Sequence, residues 1–414
     1  MRIHARTLTC RFYCLILSSL FLAACQQAQP LPPAAPDYAR PLADGSSSLV
    51  RIQNPSNIPA LAQAFSQLAD PAYRESLQKS LNWFDLQSTK QYFPTAQISH
   101  AHAYTSVYAL LQVRKYSDLL DEFDLWQSVG WNNLGEVLFT AYYSPVFKAS
   151  ATRQGPYQYP LFKRPSDLRS NPNTGDVIGG YYTRNQLEQS GKLIGLELVY
   201  LPSRLDAYII EVNGSAKLQM TDGSTRYVGY AGNNGHDYTS IGKLLAEKGV
   251  MSEHEINLSS IRAYFNQNPN LLNQYISRND RFVFFKWYKP DQWPAGSLGV
   301  NVTPYRSLAT DKSIFPRGCP MLITTTLPDN QGNKQPFTQL MVDQDTGGAI
   351  RAAGRADIYL GVGSQAEAIA GHQAATGQMY YLLLKPDRVQ YWYDKMSQSK
   401  SAKLRSNITK HTYK

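Results

Sequence analysis

The chain has 414 residues, 43% hydrophobic and 17% charged, with a formal net charge of +10. That balance excludes an intrinsically disordered chain, and the length allows two or three domains with cores of their own. The positive excess suits nucleic acid, anionic lipid or an acidic polymer, and the 28 tyrosines suit either strands or carbohydrate faces.

The opening MRIHARTLTCR carries Arg2, Arg6 and Arg11, and FYCLILSSLFLAA follows as an apolar run too short to span a bilayer comfortably. It ends in LAAC, Leu22 to Cys25, which resembles a bacterial lipobox, where small residues precede a cysteine that carries lipid. Residues 1–24 therefore read as a lipoprotein signal peptide and Cys25 as the lipidated first residue of the mature chain. Gln26, in place of Asp, fits sorting to the Gram-negative outer membrane, with the protein facing the periplasm. That compartment argues against nucleic acid as a partner. Removing the three signal arginines lowers the formal charge from +10 to +7. Cys10 and Cys14 leave with the signal, so Cys319 is the one thiol left beside Cys25, and no internal disulfide is expected. In PRGCP it has no metal-site pattern and reads as a small buried filler.

Residues up to 48 are rich in Pro, Ala and Ser and read as a semi-rigid tether. In DPAYRESLQKSLNWF, Asp70 can cap a helix and Pro71 fits its first turn, while Tyr73, Leu77, Leu81 and Phe84 share a face. A second helix is expected through Tyr104, Val107, Tyr108 and Leu111. His100 and His102 near its start have no third ligand at metal spacing. From Leu138 the pattern turns strand-like. Asn213-Gly214 and Asp222-Gly223, set among AYIIEV, AKLQM and RYVGYA, read as two successive hairpins. A helical stretch from 240 to about 277 follows, and FVFFKWY, MLITTTL, QLMVDQD, IYLGV and MYYLLLK resume strands. The last residues, 396–414, read as a basic, solvated tail.

The stretch 341–361, MVDQDTGGAIRAAGRADIYLG, places Asp343, Asp345 and Asp357 around a Gly-Gly turn. Period-2 alternation puts Met341, Asp343 and Asp345 on one face, where two carboxylates should raise each other's pKa. Gly347 and Gly348 allow a positive φ and a close ligand approach. Ser364 and Glu367 read as a capping box for an Ala-rich helix. Turn-capping by Asp is the competing explanation, and composition does not decide between them.

This segment resembles the three-aspartate (3D) domain of family A membrane-bound lytic murein transglycosylases. TAYYSPVFKASATRQGPYQYPLFKRP (140–165), YAGNNGHDYTSIGKLL (230–245) and SLATDKSIFPRG (307–318) also resemble segments of that family, so the likeness extends over about 136–386. The family strand commonly reads TGYYTPV; here Ala141 replaces Gly and Ser144 replaces Thr. The resemblance implies a mainly β protein with helices. A double-psi β-barrel domain would be built from residues 49–148 and 286–395, with a second β-rich domain inserted at 149–285 and a glycan cleft between them. It implies cleavage of the MurNAc–GlcNAc bond of peptidoglycan without water, leaving 1,6-anhydro ends, by a monomer that uses no cofactor or metal. By the family match Asp357 is the acid–base residue and Asp345 its orienting neighbour, with Asp343 structural. Tyr142, Tyr143, Ser144, Gln154, Gly347 and Gly348 would line the saccharide subsites, and His236 would be structural. Wall-synthesis enzymes are candidate partners. A non-catalytic wall-binding lipoprotein and a hydrolytic muramidase stand as alternatives.

Overall fold

The computed structural model describes residues 35–171, 175–252, 256, 258–329 and 331–412, with side chains in the last helix to Ala402. Cys25 and the signal segment lie outside the described residues.

Fourteen strands are described: β1 (Leu49–Ile52), β2 (Phe123–Ser128), β3 (Val137–Ser144), β4 (Val146–Ala149), β5 (Tyr159–Phe162), β6 (Glu197–Leu201) and β7 (Ser215–Met220), then β8 (Thr225–Asn233), β9 (Val283–Tyr288), β10 (Ser307–Ala309), β11 (Pro320–Pro328), β12 (Lys334–Asp345), β13 (Arg355–Val362) and β14 (Ala374–Leu384). The long apolar runs predicted late in the chain are therefore strands. Six of them, in the order β14, β11, β12, β10, β13 and β3, close on themselves because β3 pairs again with β14. The first contribution to this barrel ends with β3 at Ser144, and the chain returns to it only at β10. A separate four-stranded sheet, β4-β7-β8-β9, and the β5–β6 pair arise from the intervening chain.

One apolar core fills the barrel and the space beneath the helices packed on it; Phe139, Met321, Met341, Ile358 and Leu382 are fully buried there. The helix Pro71–Phe84 forms as its sequence predicts: Asp70 accepts the Tyr73 N–H at 2.9 Å, and Tyr73, Leu77, Leu81 and Phe84 are buried. In His100–Leu110, Ser99 caps the start, and His102 pairs its Nε2 with the Leu384 carbonyl at 2.7 Å, tying helix to barrel. His100 pairs with Thr89 Oγ1 at 2.8 Å.

Four expectations differ. AYIIEV is helical (Arg204–Asn213): Ser203 caps its start, and Gly214, at φ 71°, ends it. Asn213-Gly214 is thus a helix C-terminus, because the left-handed glycine serves either role and Leu205, Ile209 and Ile210 bury at helical spacing. Asp222-Gly223 does form the β7–β8 hairpin. Residues from Asp37 pack on the barrel instead of tethering: Tyr38 meets Trp131 edge-on at 6.0 Å, and Arg40 donates to Asn133 at 2.9 Å. The final helix, Val389–Thr412, runs through the expected tail, anchored by buried Trp392 and Met396 and by a Lys400 contact with Asp85 and Tyr104.

Candidate active site

Register explains how the acids are placed. On β12, Asp343 pairs with Leu308 of β10 and Asp345 with Ala309, with a bulge that absorbs Gln344. The alternation expected from sequence is therefore broken, and the two carboxylates part company. Gln344 is fully buried and holds the bulge: its amide donates to the Ser76 carbonyl at 2.8 Å and to Ser80 Oγ at 3.0 Å, and Ser307 donates to it at 2.7 Å.

Asp343 turns inward and is 0% exposed. Thr310 donates to it at 2.9–3.0 Å and the Tyr381 hydroxyl at 2.7 Å, and it forms an ion pair with buried Lys312. Burial pulls the Lys312 pKa down while the Asp343 charge opposes that. Cys319 lies fully buried beside this cluster, its thiol pKa pushed well up by desolvation and then by Asp343.

Asp345 and Asp357 share a different place. Both pair with Ala309, one from each side of β10, and Asp357 pairs onward with Thr140 of β3. Two strand spacings put their Cα atoms about 10 Å apart. Both side chains are half-buried. Asp345 accepts three hydrogen bonds, from the Tyr142 hydroxyl at 2.6 Å and from the Ser297 and Thr346 N–H groups at 2.8 Å each. Since β3 and β12 sit opposite in the six-strand ring, the Tyr142 bond crosses the barrel. Desolvation nevertheless holds Asp345 above the usual carboxylate range. Among the described residues Asp357 accepts one hydrogen bond, from Thr140 Oγ1 at 2.7 Å to its Oδ1. Desolvation pushes its pKa up to about 6, with the Asp345 charge adding and Thr140 and Arg355 opposing. A carboxyl with one oxygen held and the other uncommitted, titrating near 6, can carry a proton to a bound oxygen and take one back.

The predicted neighbours separate into groups. Tyr142 stacks obliquely on Tyr359 at 5.1 Å, and the Ser144 hydroxyl bonds Tyr359 at 3.1 Å, so both belong to the aspartate end of β3. Tyr143 points the other way on the strand and is buried, its pKa raised by desolvation and by Glu367. Gln154 is exposed in the loop between β4 and β5, its Nε2 donating to Ser150 Oγ at 2.8 Å, and none of its hydrogen bonds reaches either aspartate. Gly347 and Gly348 do not adopt positive φ; in this loop Ala352 does, at 64°, its N–H fixed on Asp311 at 2.8 Å. Gly348 lies beside Arg281, whose Nε a methyl there would meet in ordinary van der Waals contact at 3.6 Å. Glu367 makes no capping box, since Gly363 holds the N-cap position of Ser364–Ala370; it faces Arg262 at 3.9 Å. His236 rests on the Tyr181 carbonyl at 2.8 Å.

Thr140, Ser297 and Arg355 went unnoticed in the sequence. Thr140 was reachable, because it precedes Tyr142 by two on one strand and so shares its face. Ser297 acts through its backbone, and no side-chain pattern announces that.

Residues 138–286 match the family model described as the MltA specific insert domain, and 306–383 match the 3D domain. The membrane-bound lytic murein transglycosylase A of Escherichia coli K12 is 35% identical over 269 residues, covering 64% of this chain and 70% of that protein. Its Vibrio cholerae counterpart is 32% identical, covering 62% and 68%. Among solved structures, E. coli MltA with bound chitohexaose aligns with a TM-score of 0.59 at 27% identity, over 82% of this chain and 96% of that one. A lytic murein transglycosylase from Agrobacterium tumefaciens aligns at 0.68 and 22% identity, over 83% and 99%, which speaks to the fold alone. The sequence likeness to the E. coli protein, with both domain models matched in order around the aspartate barrel, shows that the chain belongs to the membrane-bound lytic murein transglycosylase A family.

Proposed function

We infer that this protein is a peptidoglycan lytic transglycosylase, cleaving the β-1,4 bond between N-acetylmuramic acid and N-acetylglucosamine with Asp357 as the single acid–base group. Asp357 protonates the glycosidic oxygen as the C1–O bond breaks. The same carboxylate then takes the proton of the muramoyl C6 hydroxyl as that oxygen bonds to C1, closing a 1,6-anhydro ring. Atoms balance without water. The observation that carries this reading is the Asp357 environment: half-buried, held by Thr140 at 2.7 Å, with a pKa of about 6. Asp345, tied by Tyr142 and two backbone N–H groups, is the fixed acidic neighbour that orients the site, and its charge raises the Asp357 pKa.

Tyr142 lines the saccharide path in this proposal, with Gly347 and Gly348 at its loop edge; Ser144 is buried behind it on Tyr359, and Tyr143 and Gln154 are further out. The barrel lobe comprises 49–148 and 286–395 and the glycan-covering lobe 149–285, a division supported by the separate sheets. The relatives are membrane-bound transglycosylases by name, which supports attachment through lipid on Cys25 at the periplasmic face of the outer membrane. No helix among the described residues is long and apolar enough to cross a membrane. Wall-synthesis enzymes are the further partners proposed.

The test is mass spectrometry of muropeptides released from purified sacculi. Products lighter by one water than hydrolysis products support the mechanism. Full-mass reducing ends would show a muramidase with two working carboxylates, and folded protein that releases nothing would leave a wall-binding module.

A further inference from the structure

We propose that Arg281, Arg351 and Arg355 form a carboxylate-reading site beside Asp357, which recognises the acidic arm on C3 of the muramoyl sugar. This rests on the peptidoglycan reading above and goes beyond it, since it names the substrate group by which the cleft would tell muramoyl sugar from its neutral partner.

Arg281 and Arg351 bear on the loop between Asp345 and Asp357, and Arg355 follows on the strand that carries Asp357. Arg281 arrives from the inserted chain just before β9, and its guanidinium lies against Gly348, with one nitrogen donating to the His236 carbonyl at 3.1 Å. Arg351 stands exposed on the same loop, near enough that its charge disfavours the charged form of Arg281, after burial, which acts most. Arg355 opens β13 two residues before Asp357, and its charge is felt by Asp357 and, across the lobes, by Tyr238. Its Nε is buried with no hydrogen-bond partner among the described residues.

Among the described residues none of the three makes an ion pair within 4.0 Å, although most other half-buried arginines here do, as Arg51, Arg204, Arg262 and Arg306 show. Asp237 is the carboxylate that acts on Arg281, and it contributes least. Like charges without a close ion-pair partner repel one another and lose hydration, a cost that an incoming anion removes. The guanidinium fork matches a carboxylate in two parallel hydrogen bonds, which an ammonium does not.

The substrate supplies that anion at one place. N-acetylmuramic acid differs from N-acetylglucosamine by a lactyl ether at C3, ending in a carboxylate or in a stem peptide that carries carboxylates of its own. With the muramoyl C1 at Asp357, its C3 arm falls within reach of the adjoining loop. A carboxylate bound there would also fix which sugar occupies the cleavage position.

The test compares wild type with Arg281→Gln, Arg351→Gln and Arg281→Lys on three probes. These are peptide-bearing glycan strands, strands stripped of peptide so that lactyl carboxylates are free, and neutral chitohexaose followed by calorimetric binding. We expect kcat/KM on the anionic strands to fall about tenfold in Arg281→Gln, with a weaker salt dependence and partial recovery in Arg281→Lys. Chitohexaose affinity should stay within about twofold of wild type. Loss on stripped strands identifies the lactyl carboxylate, and loss confined to peptide-bearing strands identifies the stem peptide; both support the site. Equal losses on chitohexaose, or none on any probe, overturn it. If Arg281→Gln melts early, Arg351→Gln on its exposed loop decides alone. Wild-type protein that neither binds nor cleaves any probe would sink the peptidoglycan reading instead, before the arginines are tested.

Discussion

Around Asp343 the barrel supplies Thr310, Tyr381 and a buried lysine, so the carboxylate is surrounded by donors and reached by no solvent. Around Asp357, two strands away, it supplies a single hydroxyl, a charged neighbour in Asp345 and an opening to solvent. The residue type and the loop are shared, and the difference lies in what the neighbours satisfy. A fully satisfied carboxylate is committed to its ion and holds structure together. An under-satisfied one, in a desolvated place, keeps a proton that it can give away.

The sharpest way to break the comparison is Asp357→Asn. We expect cleavage to fall by roughly 10³-fold or more, read from released anhydro-muropeptides, with the fold intact. Stability should change in the opposite sense. A carboxyl whose folded pKa of about 6 lies above its ordinary 3.8 favours the fold below pH 3.8, and this contribution is lost as pH rises through 6. The amide suffers no such loss, so the variant should gain up to about 3 kcal/mol at pH 7.5, less what solvent screening removes. Lower stability at that pH would mean Asp357 is structural after all.

Asp343→Asn tests the other side. It leaves Lys312 buried without its counter-charge, and we expect a loss of about 3–5 kcal/mol in urea unfolding. Activity per folded molecule should hold well above that of Asp357→Asn. If cleavage vanished while stability stayed, the structural role assigned to Asp343 would be wrong.

Tyr142→Phe sharpens the comparison at a smaller scale, because it removes one of three donors to Asp345 and nothing from Asp357. About 1 kcal/mol of stability and roughly tenfold in kcat are expected to go, with KM for glycan strands changing less.

Much of this was legible in the chain, and the failures share a cause. The capped helix at Asp70, the Asp222-Gly223 hairpin and the late strands follow from local rules, and local rules held there. The placing of Asp343 apart from Asp345 depends on a bulge fixed by Gln344 reaching Ser76 and Ser80, residues more than 250 positions earlier in the chain. No window of sequence contains that information. Asn213-Gly214 failed because a left-handed glycine ends a helix as readily as it turns a hairpin, and the choice is made by what the flanking apolar residues pack against.

The smallest predicted effect is the most specific. Thr140 lowers the Asp357 pKa by donating to its charged form, so Thr140→Val should raise that pKa. The acid form must be present when the glycosidic oxygen is protonated, so wild-type kcat/KM should fall as pH rises through about 6. In Thr140→Val that falling limb should move to higher pH. Valine keeps the shape and burial of threonine, so a packing defect would lower the plateau without moving the limb. A shift upward in pH ties the titrating group to the carboxyl that Thr140 touches. A limb that stays fixed assigns the titration to another group, Asp345 first among them, because it too is raised by burial and takes no bond from Thr140.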